Sequence, residues 1–165
     1  MTSDLNSHIK KNENVMIYVD GELLHRDDAK ISVFDSGFMM GDGVWEGLRL
    51  INKNWLFLDE HLDRLFEAAK AIDLDIGLSK DQVKDALEQT RLANNMNDKA
   101  HARLMVTRGM KAKPFQKPVY SMNGPTVVII IEHSDDSAQN NPITLSTVPQ
   151  IRGTPMMQDP KLNSH

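Results

Sequence analysis

An α+β domain built on a mostly antiparallel sheet is the fold this sequence predicts, and three observations carry it. Short apolar-rich runs come first, two helical stretches follow, and three further apolar runs come after them, an order that segregates helices from strands. Asp20-Gly21 joins the first two runs and is a strong hairpin dipeptide. With 165 residues, 40% apolar and 25% charged, the chain can build the core of one domain.

The elements are justified in chain order as follows. "MTSDLNSHIKKNEN" is polar and is expected to form a flexible leader over residues 1–14. It shows neither an apolar core nor a cleavage site, which points to a cytoplasmic protein. "VMIYVDGELLHR" supplies the hairpin, and "KISVF", residues 30–34, is a candidate further strand. "VWEGLRLINKNWLFL" is expected to form a strand, an Asn-Lys-Asn turn and a second strand. Asp59 is the candidate N-cap of a helix over residues 60–72, whose apolar stripe is Leu62, Leu65, Phe66, Ala69 and Ile72. Ser79 and Gln82 stand in the capping-box relation at the start of a second helix. "HARLMVTRG", "PTVVIIIEH" and "ITLSTVPQI" then predict three strands separated by loops rich in Pro, Asn and Ser. From Pro149 periodicity fades and prolines recur, so residues 15–148 are expected to form the domain and residues 149–165 an interdomain linker.

Charge and composition exclude several classes. A net charge of −4 argues against general nucleic-acid or anionic-membrane binding, which asks for a basic surface. The longest apolar run, "VVIII", is strand-sized and far short of a membrane span. The chain has no cysteine, which removes disulfides and thiolate metal sites. The histidines are scattered, with no metal-ligand pair at helical spacing, and neither a P-loop nor a nucleophile elbow is present. "GFMMGDG" is too irregular for a dinucleotide fingerprint.

The stretch "FDSGFMMGDGVWEGLRL" carries the strongest chemical signal. It places glycines at 37, 41, 43 and 47, where the chain must turn or be approached closely. Strand alternation puts Trp45, Gly47 and Arg49 on one face and Glu46 with the leucines on the other. An arginine beside an aromatic, with a glycine between them, suits an anion pocket; a solvated face is the alternative. Arg103 shares a face with His101 and Met105 in the same two-way sense. Glu46 is either paired in the core or displaced by a bulge. Arg64 lies away from the apolar stripe of its helix, three residues after His61, where solvent and an ion pair with Glu60 or Glu67 are the simple reading.

"FDSGFMMGDGVWEGLRL", "FLDEHLDRLFEAAK" and "ARLMVTRG", in that order and spacing, resemble the N-terminal part of the class IV aminotransferases, the fold-type-IV enzymes that use pyridoxal 5'-phosphate. The resemblance begins near Met16 and runs to His165. It implies a small domain of a two-domain enzyme, transaminating an amino acid and a 2-oxo acid, as a homodimer. The arginine of "HLDRL", here Arg64, is implied as the cofactor-phosphate ligand, looking into an interdomain cleft. Trp45, Gly47, Arg49 and Arg103 are implied to line or support the substrate pocket, with Gly47 leaving space for substrate. The strings look more like the branched-chain branch than the D-amino-acid branch.

Departures qualify this resemblance. The loop after "VTRG" reads "MKAKPFQK", with Lys113 and Phe115 near the places where the D-amino-acid branch has a carboxylate-binding arginine and histidine. His101 stands where a tyrosine is common in the branched-chain branch. Transamination needs a lysine that forms a Schiff base with the cofactor and shuttles a proton. Lys161 in "DPKLNSH" matches that context, but the resemblance favours a second such lysine just beyond His165, followed by a large catalytic domain that this chain does not contain. D-amino-acid or (R)-amine transamination and aminodeoxychorismate lyase action stand as alternatives within the family. A non-catalytic binding or assembly domain is the alternative outside it.

Overall fold

Every second residue of the long strands is buried, and that alternation organises the molecule. The computed structural model describes residues 2–134, 143–149, and the single residues 151, 154, 156 and 159. The elements are α1 (Thr2–Lys11), β1 (Met16–Val19), β2 (Glu22–His25), α2 (Ser36–Met40), β3 (Gly43–Ile51), β4 (Asn54–Trp55), α3 (Leu58–Ala71), α4 (Lys80–Ala93), β5 (Ala100–Thr107) and β6 (Thr126–His133). The strands form one six-stranded sheet in the order β2-β1-β6-β5-β3-β4, and its pairs are antiparallel. The expected α+β architecture is thus the observed one.

Asp20 and Gly21 both take positive φ, 48° and 99°, the conformation that a two-residue hairpin turn requires. β3 and β5 pair without interruption from Gly43 opposite Thr107 to Leu50 opposite Ala100. No bulge therefore displaces Glu46. Val44, Leu48, Leu50, Ala102, Leu104, Ile129 and Ile131 are wholly buried on the face that meets the helices. Leu62 and Leu65 of α3 and Val83 and Leu87 of α4 complete this core, with α3 against β3 and α4 against β1 and β6. The Ser79–Gln82 capping box is present in both directions.

Several local expectations are corrected. Residues 30–34 form no strand and pair with neither edge of the sheet, and Ile31, Val33 and Phe34 remain exposed. Residues 143–149 likewise form no strand: β6 is flanked by β1 and β5, and Ile143 and Leu145 stand 80% and 82% exposed. A pattern fit for a strand makes one only when the chain is brought alongside a partner to pair with. The N-cap of α3 is Phe57 in the left-handed region, two residues before the expected Asp59, which sits in the first turn and pairs with Lys84 of α4. The segment read as a leader is helical over Thr2–Lys11. Beside it the buried Asn12 continues the ladder of β6, accepting from the His133 N–H at 2.7 Å and donating to its carbonyl at 3.3 Å.

The glycine-rich stretch builds a short helix that sequence reading left out. Asp35 caps α2 by accepting from the Gly37 N–H at 2.8 Å, and its other oxygen accepts from the Thr107 hydroxyl at 2.9 Å. The Thr107 hydroxyl accepts in turn from the Gly109 N–H at 3.0 Å. A side chain at Gly37 would collide with Thr107 Cγ2, so glycine there is demanded by close approach to the end of β5. Gly37→Ala should cost about 1–3 kcal/mol by overpacking, while adding Thr107→Ser, which removes the offending methyl and keeps the hydroxyl, should recover at least half. Urea denaturation of the two variants checks this, and an unchanged midpoint for Gly37→Ala would show the contact to be soft.

Candidate functional site

Strand β3 presents chemistry on both of its faces. On the face away from the helices, cross-strand register sets Trp45 beside Met105, Gly47 beside Arg103 and Arg49 beside His101, and β6 extends the last two rows with Ile130 and Glu132. The four residues expected in the substrate pocket, Trp45, Gly47, Arg49 and Arg103, are therefore brought together. The Arg103 guanidinium carbon lies 4.1 Å from the centroid of the Trp45 ring. That cation–π contact is worth about 0.5–1 kcal/mol at an exposed site and holds the guanidinium flat. A Cβ on Gly47 would lie 3.2 Å from His101 Nε2 and 3.8 Å from Trp45 Cζ3, so the room left by this glycine is shared with the imidazole. Burial pushes the His101 imidazole below its ordinary pKa of 6.5; Arg103 and Arg49 push the same way, against Glu132.

On the helix face Glu46 is fully buried, and α3 supplies what compensates it. Arg64 Nε donates to Glu46 Oε1 and Nη2 to Oε2, both at 2.5 Å, a bidentate fork. His61 Nδ1 lies 2.8 Å from Glu46 Oε2. Its hydrogen bonds to the Glu46 carboxylate hold the Arg64 guanidinium above its ordinary pKa. Arg64 is nonetheless 39% exposed, and its third nitrogen, Nη1, makes no hydrogen bond among the described residues. The guanidinium thus has one edge fixed by protein and another facing a shallow depression formed with Phe57, Glu60, His61 and Glu67.

Arg64 consequently does not sit with the four pocket residues; they lie on opposite faces of the sheet. The outer edge of β3 connects them. β4 pairs only with Leu50 and Ile51, so from Gly43 to Leu48 that edge carries no strand among the described residues. A ligand wrapping this edge reaches both faces. Lys161 falls outside the described residues. Lys113 and Phe115 pack on Tyr120 of their own loop, at 5.5 Å and 6.2 Å from its ring.

Sequence reasoning expected a partner for Arg64 one turn away on its own helix and missed Glu46. The signal was available: a carboxylate in register with core leucines requires a buried cation or donor. Arg108 was also missed. Its guanidinium grips Asp42 at 2.8 Å and the carbonyls of Ile72 and Asp73 at 2.7 and 2.6 Å, tying the turn before β3 to the C-terminal end of α3.

The family model for amino-transferase class IV matches residues 43–162. The branched-chain-amino-acid aminotransferase-like protein 1 of Arabidopsis thaliana is 38% identical over 156 residues, covering 94% of this chain and 28% of that protein. An aminodeoxychorismate lyase of Bacillus subtilis is 34% identical over 117 residues, 70% of this chain and 39% of the lyase. The chain thus spans well under half of the length of these relatives. The branched-chain aminotransferase of Thermoproteus uzoniensis, solved with norvaline, superposes with a TM-score of 0.75 over 92% of this chain and 51% of that one, at 22% identity, a likeness of fold.

Arg64→Ala would strand a carboxylate that has no access to solvent. The expected destabilisation is about 2–3 kcal/mol, below the usual cost of breaking a wholly buried pair because Arg64 itself is partly solvated and His61 remains. Adding Glu46→Gln removes the stranded charge and should return at least half of the loss. Chemical denaturation of the single and double variants measures both. A single variant within 0.5 kcal/mol of the parent, taking ~0.5 kcal/mol as the ordinary scatter of surface changes, would mean that Glu46 does not depend on Arg64.

Proposed function

Because this chain belongs to the class IV aminotransferases, we propose that the protein transfers an amino group between an amino acid and a 2-oxo acid with the help of pyridoxal 5'-phosphate. In this reading residues 15–148 are the small domain, residues 149–165 the linker to a larger one, and the free edge of β3 the small-domain wall of the active site. The observation that carries the reading is the posture of Arg64, a guanidinium locked on one side by Glu46 and open on the other. Such a donor set fits a phosphate dianion, which takes charge-assisted bonds from a fixed fork.

When bound, pyridoxal phosphate supplies the electron sink that makes an amino acid's α-proton removable. The chain's own residues bind and orient. Arg64 is assigned the cofactor phosphate, and Glu46 keeps its guanidinium from swinging into solvent. Arg49 and Arg103 are assigned the substrate carboxylate, Trp45 holding Arg103 flat and Gly47 keeping the approach open. The proton falls to a lysine outside the described residues. Branched-chain amino acids are the proposed donors, supported by the name of the relative that covers 94% of this chain. A D-amino-acid preference is less well supported, since Lys113 is engaged over Tyr120. The protein is proposed to act as a homodimer, which the exposed Val33, Phe34 and Phe38 support.

Two measurements test this reading on the natural full-length protein. In the Glu46→Gln background, which carries no stranded charge, Arg64→Ala should weaken pyridoxal phosphate binding by about one to two orders of magnitude, the equivalent of one charge-assisted hydrogen bond. Equal titration curves would remove Arg64 from the cofactor site. Arg49→Ala and Arg103→Ala should lower kcat/KM while moving Tm by only about 2–4 °C. A large Tm loss with unchanged kinetics would make them structural ion-pair partners.

A further inference from the structure

The chain between β5 and β6 folds back on itself before it re-enters the sheet. Residues 110–112 run alongside residues 120–122, the Met122 N–H donating to the Met110 carbonyl at 2.7 Å and the Ala112 N–H to that of Tyr120 at 2.9 Å. Between Met122 and Thr126, where β6 begins, the chain turns a corner, and Asn123 and Gly124 turn it with φ of 53° and 81°. Asparagine tolerates such left-handed values and glycine adopts them freely. This is the only Asn-Gly pair in the sequence. Both residues are exposed, and neither the Asn123 side-chain amide nor the Gly124 N–H makes a hydrogen bond among the described residues. Nothing lies within 4 Å of the place where a Cβ on Gly124 would stand, so that flank is open. The inner side of the corner is packed. The Gly124 carbonyl oxygen lies so close to Gly109 that a Cβ there would collide with it. Gly109 in turn donates its N–H to the Thr107 hydroxyl at 3.0 Å and accepts the Ser36 N–H at 2.9 Å. The corner therefore bears on the brace that holds α2 to the end of β5.

We infer that Asn123 is a site of spontaneous deamidation, and that the isoaspartate it yields loosens the brace at the entrance to β3. Asparagine is among the thermolabile residues, and the partners for the reaction stand side by side here. The Gly124 nitrogen bonds to Asn123 Cγ, the Cγ–Nδ2 bond breaks, and Nδ2 leaves as ammonia with the proton of the Gly124 N–H. A succinimide ring results, and water opens it at either carbonyl. Opening at Cγ leaves aspartate. Opening at the backbone carbonyl leaves isoaspartate, whose main chain runs through Cβ and Cγ and is longer by one carbon. One water is consumed and one ammonia released, with no oxidant or reductant. Both products set a new carboxylate on a cavity of about 240 Å³ that Asp20, Lys30 and Asp35 also line, Lys30 being the one cation among the lining residues. Burial, with Asp35 adding to it, already holds the Asp20 carboxyl above its ordinary pKa, against the Val127 N–H that favours the charged form. The extra carbon of isoaspartate acts separately from this charge. The corner spans a fixed gap between Met122 and β6, and its carbonyl has no room to move toward Gly109.

Deamidation is read without any assay of amino transfer. The natural full-length protein is held in neutral buffer at physiological temperature and mapped by mass spectrometry, with an isoaspartyl methyltransferase as the label for isoaspartate. Position 123 should convert mostly to isoaspartate, with one ammonia released per converted chain. Its rate should lie within about tenfold of that of the free peptide Ser121–Thr126, because an exposed corner opens at little free-energy cost. Asn123→Gly, which suits the positive φ and has no amide, should lose the label. An intact Asn123 after the peptide has fully converted overturns the inference, since the fold then protects the corner. Asn123→Asp carries the new charge without the extra carbon and separates the two effects. Hydrogen exchange at the Ser36 and Gly109 amides should be about tenfold faster in the aged protein than in Asn123→Asp, as local opening at the brace becomes easier. Equal exchange in the two would mean that the brace does not feel the longer chain, and would overturn the loosening.

Discussion

A carboxylate with no access to water needs its charge answered within hydrogen-bonding distance, and Glu46 is answered from a helix. Its same-face neighbours on β3 are Val44 and Leu48, and the residue opposite it on β5 is Leu104. The compensation comes from Arg64 and His61, three residues apart on α3, which fixes both the rotation and the axial position of that helix on the sheet. Hydrophobic burial of Leu62 and Leu65 would tolerate sliding by small amounts. A bidentate fork at 2.5 Å does not. The contact that secures α3 is therefore the contact that aims Arg64, so packing and site geometry are one constraint.

The second consequence concerns β3, which is an outer strand along most of its length and an inner one at its end. The two-residue β4 covers only Leu50 and Ile51, so among the described residues the edge from Gly43 to Leu48 is open. Edge strands are usually blunted or covered; here the open edge separates a cationic face holding Arg49 and Arg103 from a helix face holding Arg64. Two arginine sites back to back across a single strand suit a ligand with two anionic ends, bent around that strand. Arg108 and Asp35 brace the arrangement from the entrance to β3, one tying Asp42 to the end of α3 and the other tying α2 to Thr107.

Much of this was legible in the sequence because it is local or periodic. The Asp20-Gly21 hairpin, the alternation through β3 and β5, the apolar stripe of α3 and the Ser79–Gln82 box follow from backbone preferences and from the periods of strand and helix. The face shared by Trp45, Gly47 and Arg49 follows from alternation alone, and the three motif strings sufficed to identify the family. What the sequence could not decide was pairing across distance. Residues 30–34 and 143–149 carry strand-like patterns, yet neither forms a strand, because a strand needs a partner's backbone to pair with and the pattern alone does not bring one. Glu46 could be seen to need a partner and Arg64 was expected to pair with Glu60 or Glu67, but only the docking of α3 on the sheet joined Arg64 to Glu46. Likewise His101 and Gly47 are 54 positions apart (101 minus 47) and meet only through the β3–β5 register. Local propensity writes the elements into the chain, whereas charge compensation and strand register are settled by which surfaces are brought into contact, and those contacts join residues the sequence keeps far apart.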